Sequence, residues 1–332
     1  MKAPVVMLGL LAAATAVSLH AQQPAAKPAS TAAPKPYTAK TVWGDPDLQG
    51  VWDYKTITPL ERPAAYGNRE YLTSAEIAKL EGAAEKRLDS PPDENVPVNL
   101  VHAPYMTDPG TKVDEDHRTS LIVDPPDGRI PPLTPEAQRR LATLRVGGRN
   151  GGTDGPEERS SLERCITWGL PTAILPGLYN NNIRIIQGPG YVAITHEMVH
   201  DTRIIPLDGR PALPSNMHQW FGDSRGHWEG NTLVVETTNF SNKTNYRGSG
   251  ANLHMLEHFT RTGLHSIDYR LTVSDPTTWT QPWTVEEHMR TSEGDLYEYA
   301  CHEGNYGMRN ILEEARDADK AAAARAAANV NQ

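Results

Sequence analysis

Two strand-like runs, His227-Trp228-Glu229 and Thr232-Leu233-Val234-Val235-Glu236-Thr237, meet at Gly230-Asn231, and this junction narrows the fold more than any other feature of the chain. Gly and Asn tolerate the positive φ that a two-residue hairpin turn requires. Similar runs fill the C-terminal half: Ile183–Gln187, Tyr191–Leu207, Leu256–Thr262, Ile267–Val273, Trp283–Thr291 and Leu296–Cys301. Gly188-Pro189-Gly190, Asp208-Gly209, Gly263, Asp275-Pro276 and Glu293-Gly294-Asp295 separate them. Turn signals at a spacing of roughly 8–12 residues predict an antiparallel meander closing into a barrel. Closure also removes exposed sheet edges. The expected class is therefore mainly β, with short helices and long irregular insertions.

The N-terminal half is less regular. Gly50 to Ile57 reads as a first strand, broken by Thr58-Pro59. Thr73-Ser74-Ala75-Glu76 is a capping-box pattern that opens a helix to about Leu88. Ser120–Val123 is a short strand, closed by Asp124-Pro125-Pro126-Asp127-Gly128. Thr134-Pro135-Glu136 starts a second helix, with Pro at the first helical position. Residues 58–180 thus form a long insertion between the first strand and the rest.

The ends set the compartment. Met1-Lys2-Ala3, an apolar run from Pro4 to about Val17, and Ser18-Leu19-His20-Ala21 describe a signal peptide over 1–21. Residues 22–40 are mostly Ala, Pro, Lys, Ser and Thr, with almost no large apolar residue to offset ordering entropy, and read as a disordered linker. One β-barrel domain is expected over 41–312, and 313–332 as a C-terminal helix or frayed tail. The protein is expected to be periplasmic or secreted. No stretch is long and apolar enough for a membrane span. The net charge of −9, with acids and bases interspersed, argues against nucleic acid as a partner. The only two cysteines, Cys165 and Cys301, are expected to pair in an oxidising compartment; the alternative is two separate buried thiols.

Gly50-Val51-Trp52 on the first strand resembles the Gly-x-Trp signature of lipocalin-like (calycin) barrels. The resemblance implies a barrel with this Trp packed across one end. The long insertion departs from simple lipocalins. More broadly, Trp43–Trp52, Ser120–Arg129 and Tyr297–Tyr306 resemble blocks of an uncharacterised family of secreted bacterial proteins, which brings no activity with it.

His196-Glu197-Met198-Val199-His200 matches His-Glu-x-x-His, which on a helix places two imidazoles one turn apart for zinc and a Glu as general base. The surrounding Val192, Ile194, Thr195, Thr202, Ile204 and Ile205 are instead a β-branched load typical of strand. Extended backbone separates the two rings by about 13 Å, too far for one ion. The expectation is a strand with no metal or organic cofactor; a zinc hydrolase using His196, Glu197 and His200 is the alternative.

Seven Trp against three Phe suit a cavity for a small hydrophobic or aromatic molecule. Trp52, Trp228, Trp279 and Trp283 are the expected wall, with Arg225 as an anion contact. The Trp279–Trp283 pair is expected at the cavity mouth. His196, His200, Glu257 and His258 are the candidate proton carriers for acid–base chemistry. A non-catalytic envelope interaction protein is a third reading.

Overall fold

The computed structural model describes residues 37–89, 107–143, 152–243 and 246–330. The expected signal peptide over 1–21 and most of the expected linker over 22–40 lie outside the described residues. Ten strands form one antiparallel sheet. They are β1 (Gly50–Asp53), β2 (Ile122–Asp124), β3 (Asn182–Gly188), β4 (Tyr191–His196) and β5 (Thr202–Pro206). Then follow β6 (Asp223–Glu229), β7 (Thr232–Thr238), β8 (His254–Arg261), β9 (Ser266–Ser274) and β10 (Trp283–Thr291). The order is β5-β4-β3-β1-β10-β9-β8-β7-β6, with β2 attached to β10.

This order is a nearly closed barrel. Its terminal strands β5 and β6 approach within 8 Å between Cα atoms but share no ladder. The seam is closed by side chains: a Cβ on Gly226 would lie 2.8 Å from Ile205 Cγ2 and from Leu207 Cδ2. Gly226 is glycine because β5 occupies its side-chain space.

Among the described residues three α-helices accompany the barrel: α1 (Ser74–Asp89), α2 (Pro135–Thr143) and α3 (Gly307–Val330). The expected capping box opens α1: Glu76 N donates to Thr73 Oγ1 at 3.3 Å, and Thr73 N donates to Glu76 Oε2 at 2.8 Å. Thr134 Oγ1 caps α2 through Ala137 N at 3.1 Å. Gly230, at φ 61°, makes the β6–β7 turn as read from the sequence.

Three expectations change. Tyr191–Leu207 is not one long strand; it folds back at Glu197–Asp201 into the β4–β5 hairpin. The strand run read from His227 begins earlier, at Asp223. Leu296–Cys301 forms no strand, although Cys301 does pair with Cys165 (S–S 2.02 Å, Cα–Cα 5.7 Å). The C-terminal segment is helical from Gly307 to Val330.

The described parts of the insertion pack over one end of the barrel, the end where β1 and β4 finish and β10 begins. Leu121, Ile122, Leu170, Ala173, Ile174 and Leu175 of the insertion join the strand side chains in one buried apolar cluster. Leu133 bridges to Trp279, just before β10. At the opposite end Trp52 is buried, donates its indole N–H to Leu48 O at 2.9 Å, and carries the Arg261 guanidinium 5.0 Å above its ring. Among the described residues no helix is long and apolar enough to cross a membrane.

Candidate functional site

Alternation along the strands decides which side chains enter the lumen. Across matched registers the inward set includes Trp52, Ile183, Ile194, His196, Arg203, Val235, Glu257, Phe259, Tyr269, Val285, Glu287 and Met289, all buried. Most are apolar. Arg203, Glu257, Tyr269, Glu287 and His196 are not.

Arg203 on β5 reaches across the lumen to Glu257 on β8. Its two terminal nitrogens donate to the two carboxylate oxygens at 2.5 and 2.6 Å. The Tyr269 hydroxyl adds a donation to Glu257 Oε1 at 2.9 Å. Burial opposes the guanidinium charge, but the charge and hydrogen bonds of Glu257 outweigh it and hold Arg203 above its ordinary value. The pair links walls that no backbone ladder joins directly.

Glu287 faces inward from β10, next to Tyr269 in the ladder. It is 1% exposed, and neither carboxyl oxygen has a hydrogen-bond partner. Burial, reinforced by the Asp114 charge, pushes its pKa well above the carboxylate range.

His196 faces inward at the end of β4. Its Nδ1 lies 2.7 Å from Ala173 O in the insertion, an oxygen that also accepts from Tyr54 Oη at 3.0 Å. A carbonyl only accepts, so Nδ1 carries the proton. Burial, aided by the Arg203 charge and opposed by the Ala173 contact, lowers the imidazole to about 3. The ring is neutral, and the bare Nε2 has no partner.

The other sequence candidates are scattered. His200 is exposed on the turn, at φ 45°. Glu197 is buried and spent on Asn182 Nδ2 at 2.7 Å and Tyr297 N at 3.3 Å. The His-Glu-x-x-His run is thus a hairpin turn with one imidazole inside and one outside. Among the described residues no group of three or more His, Cys, Asp or Glu is placed to hold a metal ion. Trp279 and Trp283 are buried and edge-to-face at 5.9 Å, with Tyr246 stacked on Trp283 at 6.1 Å, so this pair packs the closed end. Trp228 is partly buried against the core, and its Nε1 lacks a partner. Arg225 faces outward on β6, tied to Asp223 Oδ1 at 2.5 Å and Pro211 O at 3.1 Å.

His258 also faces outward. It lines a polar groove of about 340 Å³ with Thr260, Asp268, Arg270, Glu286 and His288. Burial lowers its pKa. His288 behaves oppositely. Its Nδ1 and backbone N–H both contact the Asp114 carboxylate, the latter at 3.0 Å, and its Nε2 stands 4.0 Å from Asp268. Burial works against the imidazolium, but the Asp114 hydrogen bond and charge, with Asp268 and Asp116, lift His288 to about 9.

This predicts a proton NMR titration of His288 near pH 9, returning toward the ordinary value of about 6.5 in Asp114→Asn. A His raised on folding binds more protons in the native state. Its stabilising contribution is full below about pH 6.5 and is lost as pH rises through about 9. A wild-type titration near 6.5 would refute the assignment.

Sequence reasoning missed Glu287 and Arg203. Glu287 was legible: Trp283, Val285 and Met289 alternate around it, so 287 is an inward position. No family model matches the chain, and a search of curated proteins finds no significant match.

Proposed function

We propose that the protein is a lipocalin-like, secreted binder of a small hydrophobic or aromatic molecule held in the barrel lumen. One observation carries this reading: the inward face keeps hydrogen-bonding atoms unspent, on Glu287, His196 and Arg203, inside an otherwise apolar wall. Buried polar atoms are nearly always satisfied, and each exception calls for a partner. Barrels of about eight strands have interiors that are either filled by side chains or hold one small ligand. Phe259, Tyr269 and Trp52 supply aromatic surface in that wall.

Proton transfer is a secondary use of the same groups. Glu287 offers an unpartnered carboxyl whose pKa burial raises, and His196 a lone pair on a neutral ring. Glu257, expected as a proton carrier, is instead committed to Arg203.

The test is intrinsic Trp fluorescence titrated with a panel of aromatic, lipid and sugar molecules. Saturable quenching or blue shift by aromatic members is expected. A flat response to all of them would remove the lumen-binding reading.

A further inference from the structure

The two sulfurs of the Cys165–Cys301 bridge meet different surroundings. Cys165 is buried, whereas Cys301 is half-buried and lines a groove of about 530 Å³ with Leu162, Glu163, Glu298, Met308 and Ile311. Cys165 is not part of that lining. Its sulfur instead accepts from the Asn305 side-chain amide at 3.2 Å and lies 2.9 Å from Cys301 O. Neither cysteine belongs to a strand, so no barrel ladder passes through the bridge.

A thiolate opens a disulfide by attacking one of its sulfurs, and the rate depends on which sulfur is reached and on how well the other leaves. The groove gives access to Cys301. The Asn305 N–H faces the sulfur that leaves, and a donor there stabilises the negative charge it gathers. Glu163 and Glu298 are the charged side chains of the lining, and Glu163 is paired with Arg159. An entering molecule therefore meets the Glu298 carboxylate and no cation of the lining.

We propose that Cys301 is a thiol–disulfide exchange site, attacked from this groove by a low-molecular-mass thiol whose body is neutral or positively charged. The thiolate sulfur bonds to Cys301 Sγ, and the Cys165–Cys301 bond breaks. Its electron pair leaves on Cys165 Sγ, which takes a proton from water and then donates to Cys301 O. The incoming sulfur and Cys301 end as a mixed disulfide, and Cys165 ends reduced. The stretch before α3 is thereby freed from the insertion. The site is independent of the lumen-binding reading above.

Three small thiols test it on the full folded protein: cysteamine, 2-mercaptoethanol and 2-mercaptoethanesulfonate. Reactions are quenched with acid at early times, and mass spectrometry locates the adduct. The adduct is expected on Cys301, with Cys165 as the free thiol. Each rate, per mole of thiolate, is divided by the rate of the same thiol on the urea-unfolded protein, which cancels the intrinsic reactivity of the reagent. The normalised rates should fall in the order cysteamine, 2-mercaptoethanol, 2-mercaptoethanesulfonate. The spread should shrink at about 1 M salt, where the screening length is about 3 Å, and in Glu298→Gln.

Asn305→Leu should slow exchange in the folded protein about tenfold and leave the rate on the unfolded chain unchanged. Asn305 Oδ1 also accepts from Gly307 N at 3.1 Å, so circular dichroism checks that α3 is kept. An adduct on Cys165, or no adduct from any of the three thiols, would overturn the proposal. Equal normalised rates for the three would overturn the charge preference. An unchanged rate in Asn305→Leu would overturn the role of Asn305 toward the leaving sulfur.

Discussion

Glu257→Ala is expected to lower unfolding free energy by about 3–5 kcal/mol. Glu257 is fully buried and Arg203 is 5% exposed. Removing the carboxylate leaves a guanidinium inside the lumen with no counter-charge, and strips the Tyr269 hydroxyl of its acceptor. Arg203 sits on β5, the strand at the unladdered seam. The charge must drag water in or pull β5 away from β6. Chemical denaturation measures the loss, and hydrogen exchange should localise it to β4, β5 and β6.

The control separates a bare charge from a missing contact. Arg203→Met with Glu257→Leu removes both charges at similar volume, and such replacements are commonly neutral or stabilising by about 1–4 kcal/mol. The double variant should therefore be markedly more stable than Glu257→Ala. If the single variant loses less than about 1 kcal/mol, the lumen ion pair is not a buried strut, since that is the range of exposed pairs.

Replacing both Cys165 and Cys301 by Ser should cost about 2–5 kcal/mol, toward the upper end because the bridge closes a loop of 136 residues. In the chain-entropy account the cost arises in the unfolded chain, which gains freedom in proportion to the logarithm of loop length. The bridge joins a 3₁₀-containing segment of the insertion to the strandless stretch before α3. Neither partner belongs to the barrel ladder. Loss of the bridge should thus lower the unfolding temperature while β-sheet circular dichroism in the folded state persists. Limited proteolysis should cut first near residues 293–306. An unchanged unfolding midpoint would show that the ends of this loop are held as well without the covalent bond.

The sequence alone carried the local structure where a backbone need matched a residue type. Gly230-Asn231 supplied a positive φ, Thr73 and Glu76 supplied reciprocal caps, and the two cysteines had only each other. The bounds of β10 were read residue for residue from Trp283 to Thr291, because alternation and flanking turn signals agreed there. The barrel class followed from the number and spacing of such runs.

The turn in His196–His200 was not legible. Val199 and His200 hold φ 60° and 45°, values that β-branched and bulky residues rarely adopt, and no Gly or Pro marks the place. Contacts distant in sequence hold it: Glu197 N donates to Asn182 O at 3.0 Å, and the Glu197 side chain ties Asn182 to Tyr297. Extended backbone was the local preference, and tertiary hydrogen bonds overrode it.

The same division runs through the site. Which strands exist, and that 287 points the same way as 285 and 289, is written in alternation along a single segment. That Arg203 finds Glu257, that Ala173 fixes the His196 tautomer, and that Glu287 finds no partner depend on which strands end up facing one another across the lumen. Barrel closure sets those pairings, and a one-dimensional pattern does not encode distances between strands that never share a ladder.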